Sequence, residues 1–219
     1  MELGDGLSYY KQDRERWELS GRLESLALQV LDDIRTHGSQ PPDQACDRAL
    51  ELLAGVEEWK LGCSGGHARN NSPKQVWQAL GEAAAAVDDH QMLAPIMRLS
   101  GFGSYVDSES GQQRAKMASA VLRFLCPENW GVVDWRNAAM LTFWDRCVGD
   151  CTATMALAKR ETKVELRSLF SDIYMEAACS LNCRYRQMRS AALPRAADVD
   201  MALFGLSLMA WPMCARDTD

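Results

Sequence analysis

The stretch Arg98–Met140, RLSGFGSYVDSESGQQRAKMASAVLRFLCPENWGVVDWRNAAM, decides how the rest of the chain is read. It spells a short turn with two glycines, a polar excursion, an amphipathic helix carrying Lys116, a loop around Pro127, an apolar run, and a second helix opening at Asp134. Lys116 and Asp134 stand 18 positions apart. Each falls near the start of a helix and behind a glycine turn, so an amine and a carboxylate can share one site.

Outward from this stretch the strong patterns are helical. Residues 10–36 carry Leu23, Leu26, Leu28, Val30, Leu31 and Ile34 at helical spacing, and Gly38 ends the run. Pro41 and Pro42 suit the first turn of the next helix, Asp43 to Leu61, in which Ala49, Leu52, Leu53, Val56 and Trp59 recur at threes and fours. Gly62 to Asn71 reads as a loop. Ser72 then caps a third helix with Pro73 at its first position, running through Val76, Trp77 and Leu80 into alanines 83–86. A short apolar helix over 90–99 feeds Gly101. Helices are expected at about 110–126 and 134–147, followed by a long one over 162–192 and a last one over 198–209 before Pro212. Apart from the short run Gly131 to Val133, no period-two pattern lasts, and there is no internal repeat. The expected fold is all-α, a two-lobed helical bundle forming one domain over 1–219. Its lobes fall at about 1–90, joined by the C-terminal helices, and 91–160.

A chain of 219 residues, 47 % hydrophobic, is long enough to bury a proper core. Its apolar runs fall short of the ~20 residues a membrane helix needs, and the charged start MELGDGLSYYKQDRERWE lacks a signal-peptide pattern, so a cytoplasmic protein is expected. Eight cysteines spread through a helical chain read as reduced thiols. The pairs Cys147/Cys151 and Cys179/Cys183 have spacing that a zinc ion could use, but core thiols are the preferred reading, and nothing in the sequence requires a cofactor or metal.

The net charge of −6 argues against a generic polyanion binder. Yet Lys plus Arg against Asp plus Glu counts 9 to 16 over residues 1–97 and 15 to 14 over 98–219. Within the second half, Lys159 to Arg195 holds eight basic and four acidic residues, which makes it the place for a nucleic-acid face or simply a solvated helix surface.

Leu99-Ser100-Gly101-Phe102-Gly103, then Lys116-Met117-Ala118-Ser119-Ala120, then Val132-Val133-Asp134 resembles the helix-hairpin-helix DNA glycosylase superfamily, of the endonuclease III and 8-oxoguanine glycosylase type. Trp59-Lys60, Ser72-Pro73, Val-Val-Asp-Trp-Arg and the late Asp198-Val199-Asp200-Met201-Ala202-Leu203 are similar to uncharacterised bacterial members. The resemblance implies a helix-hairpin-helix-like central element whose turn, Gly101, Phe102 and Gly103, grips DNA phosphate, with Arg136 as a further DNA contact. It implies a damaged or modified base flipped into an interlobe cleft, with Trp59, Trp130 and Trp135 as candidate pocket walls. It also implies Lys116 and Asp134 as the catalytic pair. A partly neutral amine can attack the sugar C1′ and displace the base, and an aspartate at a helix N-terminus stays ionised and stabilises a cationic sugar.

Three departures stand out. Twelve residues, Ser104 to Ala115, separate the hairpin from Lys116 where the family has one or two, so the hairpin is either enlarged or no longer a phosphate clamp. Position 100 is Ser rather than Pro, and Arg136 stands where many members place His or a similar polar residue. Simpler readings sit beside each candidate. Asp134 is a good N-cap whatever else it does, Lys116 can be a solvated helix lysine, and the tryptophans can be core packing. The competing function is a binding module of the same fold, without chemistry, that holds a nucleic acid or a protein. A third is an enzyme acting on a small nucleoside-like substrate.

Overall fold

Eleven of the fifteen residues of the last helix, Ala196–Ala210, are buried. A helix apolar on every side has to be wrapped by others, and the chain arranges itself around this one. The computed structural model describes residues 1–62, 66–103, 113–170 and 172–212. In chain order the helices are α1 (Leu3–Tyr10), α2 (Arg14–His37), α3 (Asp43–Leu61), α4 (Pro73–Ala85), α5 (Asp89–Met97), α6 (Lys116–Leu125), α7 (Trp135–Arg146), α8 (Cys151–Ala158), α9 (Lys163–Phe170), α10 (Met175–Gln187) and α11 (Ala196–Ala210). Among the described residues there is no strand, only one antiparallel bridge between Arg114 and Tyr174. The protein is all-α, and one continuous hydrophobic core runs from Leu23 of α2 to Leu206 of α11.

Helix ends follow the sequence closely where a cap is local. Ser72 Oγ accepts the Gln75 N–H and the Gln75 side chain returns to Ser72 N, with Pro73 at the first position of α4. Asp134 caps α7, and Gly62 ends α3 in a left-handed conformation.

The structure differs from the sequence expectation where distant contacts decide. The single helix expected over 162–192 is two, α9 and α10, because Ile173 O accepts the Ala115 N–H at 2.9 Å and Tyr174 pairs with Arg114. That same pairing sets the start of α6 at Lys116. The expected start near Ser110 lies outside the described residues, as do positions 104–112 of the segment between the hairpin and Lys116.

Helices α1 and α8 were not expected. α1 docks because two glycines let backbones touch: a Cβ on Gly6 would stand 2.1 Å from Ala202 O, and one on Gly205 would stand 1.9 Å from Gly6 O. Tyr10, at the end of α1, is thereby carried into the site. α8 follows a tight turn in which Gly149 has φ +79°, so Cys147 and Cys151 lie on either side of a helix break rather than on one helical face.

Candidate active site

The first turn of α6 and the first turn of α7 are tied together before either carries any chemistry. Ser119 Oγ donates to Lys116 O at 2.8 Å and accepts the Val133 N–H at 3.0 Å, so the Val132–Val133 run lies along the start of α6. The Tyr185 hydroxyl of α10 donates to Val132 O at 3.0 Å. Gly131 permits this approach, since a Cβ there would stand 2.6 Å from Asp200 Cβ and 2.7 Å from Tyr185 Cδ2. The chain then reaches Asp134, whose Oδ1 accepts the Asn137 N–H at 3.1 Å and whose Oδ2 accepts Lys60 Nζ, on the last turn of α3, at 2.8 Å. Asn137 Nδ2 donates to Val132 O at 3.2 Å and to the carboxyl of Asp200 on α11.

Of these, Lys60, Lys116, Val132, Asp134 and Asp200 face a cavity of about 130 Å³. A cavity of ~150 Å³ takes benzene, so the space is of the order of one small ring and no more. Its walls are aromatic, with Tyr10, Trp59, Trp135 and Phe204 around Lys60, Lys116, Asp134 and Asp200. The Trp59 indole is held by a hydrogen bond from Nε1 to Ser20 Oγ at 2.9 Å. The fully buried Arg123 lies 5.8 Å from the Trp59 ring and 4.3 Å from that of Phe124, its charge met by Glu24 at 2.9 Å.

The ionisable groups of the cavity are tuned in different directions. Burial alone would raise the Asp134 carboxyl, but Lys60, the Asn137 amide and Arg136 outweigh it and hold the carboxyl below its ordinary range. Asp200 is just as deep, yet burial wins there and pushes it up to about 7. The Val132 amide and Arg123 oppose that rise, and Asp134 adds to it. Burial lowers the Lys116 ammonium from its usual value. Lys60 and Arg114 push it down further, while Asp134 and Asp172 pull it back. An ionised carboxylate, a carboxyl that titrates near neutrality and an amine that gives up its proton more readily than usual therefore share one small space. This is an equipment for proton transfer and nucleophilic attack.

The structure brings together most, but not all, of the residues expected from sequence. Lys116, Asp134, Trp59, Trp135 and Arg136 line the cavity. Arg136 is not an outward arm: it is 5 % exposed, donates Nη1 to Trp211 O at 2.8 Å and lies 4.7 Å from the Trp135 ring centroid. Trp130 is fully buried, gives its N–H to Met92 Sδ at 3.3 Å, and does not line the cavity.

Gly101, Phe102 and Gly103 do not line it either, and all three are buried. In their turn the Ser100 amide is given to Asn71 Oδ1 at 2.8 Å and the Phe102 amide to Leu99 O at 3.0 Å, so neither is offered to a phosphate. Three arginines of the basic segment are paired internally as well. Arg184 pairs with Asp145, Arg186 with Asp89 at 2.9 Å, and Arg195 with Glu24 at 3.0 Å and Asp198 at 2.8 Å.

Lys60 and Asp200 also line the cavity, and sequence reasoning named neither as a site residue. A signal existed for Asp200, an acid two positions from Asp198 in a mostly apolar helix, whereas Lys60 closes α3 beside Trp59 and its partner lies 74 positions away, so nothing local names the carboxylate it meets. Among the described residues there is no group of three or more metal-ligating side chains, and no helix is long and apolar enough to cross a membrane. Comparison with family models, with curated proteins and with solved structures finds no match.

Proposed function

We propose that the protein is a DNA N-glycosylase of the helix-hairpin-helix type, with lyase capacity, that acts on a damaged or modified base flipped out of the strand. The two-lobed arrangement belongs to this reading, with α5, the 98–103 turn and α6 in the place of the hairpin element. The observation that carries it is the convergence of Lys116 and an ionised, helix-capping Asp134 on one aromatic-walled cavity of ring size.

Each group then has a task. The neutral amine of Lys116 attacks C1′, and the C1′–N bond breaks with its electron pair leaving on the base. The base takes a proton, for which Asp200 is the donor. The attacking nitrogen gives up a proton, the C1′–O4′ bond breaks as O4′ takes a proton, and a protonated Schiff base between Lys116 and C1′ results. Asp134 stays anionic throughout and stabilises positive charge at the sugar. Trp59 and Trp135 flank the ring.

The pairing of Lys60 with Asp134 and of the C-terminal arginines with neighbouring acids favours a second reading, the same fold as a binding module without chemistry. Either reading expects weak, strongly salt-dependent binding to random duplex. The test is a base-release screen by mass spectrometry on oligonucleotides carrying uracil, 8-oxoguanine, alkylated purines and hydroxymethylcytosine. Release that is lost in Asp134→Asn supports the glycosylase. Binding without release from any of them supports the module.

A further inference from the structure

Two lysines reach the cavity but only one carboxylate is available to pair with them at short range. Lys60 Nζ takes it, 2.8 Å from Asp134 Oδ2, and among the described residues Lys116 is left with no hydrogen bond or ion pair. The geometry points to a division of labour in which Lys60 is a positioning residue: it occupies Asp134 so that Lys116, half-buried beside it, is left as the unpaired nucleophilic amine. The inference rests on Lys116 being the nucleophile of the proposed reaction.

The two lysines compete for one partner. An ammonium beside a carboxylate is stabilised as the cation, and a protonated lysine cannot attack. With Lys60 absent, Asp134 would turn to the nearest remaining amine, Lys116, and hold its proton. With Lys60 present the carboxylate is committed, and the Lys60 charge itself disfavours a second cation nearby. The ordinary arrangement, a lone lysine paired with an aspartate, keeps its carboxylate ionised at the expense of its nucleophile. A second lysine removes that conflict.

The other charges around Lys116 do not reverse the argument. Arg114, just before α6, adds to the repulsion, and Asp172 is already paired with Arg114. Arg16 of α2 and Arg136 of α7 are cations lining the same space, Tyr10 of α1 is neutral near pH 7 because burial raises it further, and Asp200 of α11, which also lines the cavity, is pushed up to about 7 and accepts a hydrogen bond from Asn137 Nδ2.

The experiment follows the lysine side chains by NMR titration of carbon-13-labelled protein, alongside borohydride trapping on abasic-site DNA with peptide mapping of the adduct. Lys60→Met is expected to raise the titration midpoint of Lys116 and to slow trapping at pH 7 by about tenfold, the consequence of a single pKa unit. Lys60→Arg restores both, because a cation again holds Asp134. Asp134→Asn is expected to move Lys116 the opposite way. The inference is overturned if Lys116 titrates identically in wild type and Lys60→Met, or if the adduct maps to Lys60. Should wild type form no adduct at all, the glycosylase reading fails while the titration still decides the role of Lys60.

Discussion

Glu57 and Asp200 are both buried carboxyls, 1 % and 3 % exposed, and the fold treats them oppositely. Glu57 sits beneath the loop that supports the Gly101–Gly103 turn. It accepts the amides of His67 at 3.1 Å and Ala68 at 2.8 Å and meets His67 Nδ1 at 2.7 Å. Burial opposes its ionisation, but three donors overcome the penalty and hold it below the ordinary carboxyl range. Asp200 lies behind the Gly131–Asp134 entry with fewer donors, and is pushed up to about 7. Around the turn, then, Glu57 and Asn71 are spent on holding backbone in place. At the entry the fold gathers more charge than it needs for structure and points it at an open cavity. What separates the two glycine turns is what their neighbours have left over, not the glycines.

The largest expected effect comes from Asp134→Asn. Asparagine caps a helix about as well as aspartate, so α7 should persist, while loss of the carboxylate that pairs with Lys60 lowers the melting temperature. Base release should fall about 10²- to 10³-fold, the usual loss when a charge aimed at a developing cation is removed. Single-turnover release on a substrate found by the screen measures it. An unchanged rate would make Asp134 a cap and nothing more, and would erase the contrast between the two regions.

Next in size is the pH dependence of stability. The Asp200 carboxyl is raised from 3.8 to about 7 in the folded protein, so between these values the folded state binds more protons than the unfolded chain. Stability from this group is therefore full below pH 3.8, declines as pH climbs to about 7, and is level above. Asp200→Asn removes the decline, and urea unfolding at low and high pH should show a gain on the order of a few kcal/mol at the alkaline end relative to wild type. Glu57 has the opposite sign. Its lowered value means stability that is present above the ordinary carboxyl range and lost as pH falls through the folded value. Glu57→Gln should therefore cost stability at neutral pH and much less in acid.

How much of this could be read from the chain depended on range. The Ser72-Pro73 start of α4, the cap at Asp134 and the glycine end of α3 are local events within four residues, and they are where the sequence places them. The break between α9 and α10 is set by Arg114 and Ala115, nearly sixty positions away in the chain, so the apolar spacing alone ran through it. α1 looked unremarkable because its docking depends on Gly6 meeting Gly205, a fit that composition does not reveal. In the site, Lys116 and Asp134 were legible because they flank one loop. Lys60 was not, since nothing in α3 announces which carboxylate it will meet.

The smallest effects, and the most discriminating, come from a pair of glycine substitutions that should cost alike and behave differently. Gly101→Ala forces an alanine into φ +87° and sets its Cβ 2.2 Å from His67 Cβ. Gly131→Ala sets a Cβ 2.6 Å from Asp200 Cβ and 2.7 Å from Tyr185 Cδ2. Neither obstacle is the far end of a flexible side chain, so each should destabilise by about 1–3 kcal/mol. Beyond stability the two should part. Gly101→Ala disturbs only a region whose polar groups are already satisfied, and the titrations of Lys116 and Asp200 should stay where they are in wild type. Gly131→Ala pushes directly on Asp200 and on the Tyr185 ring that fixes Val132, so it should move the Asp200 titration and with it the pH dependence of unfolding. Equal shifts in both variants would mean that the turn and the entry are one mechanical unit, and that the charges at the cavity are set by the whole packing rather than by the Gly131–Asp134 approach.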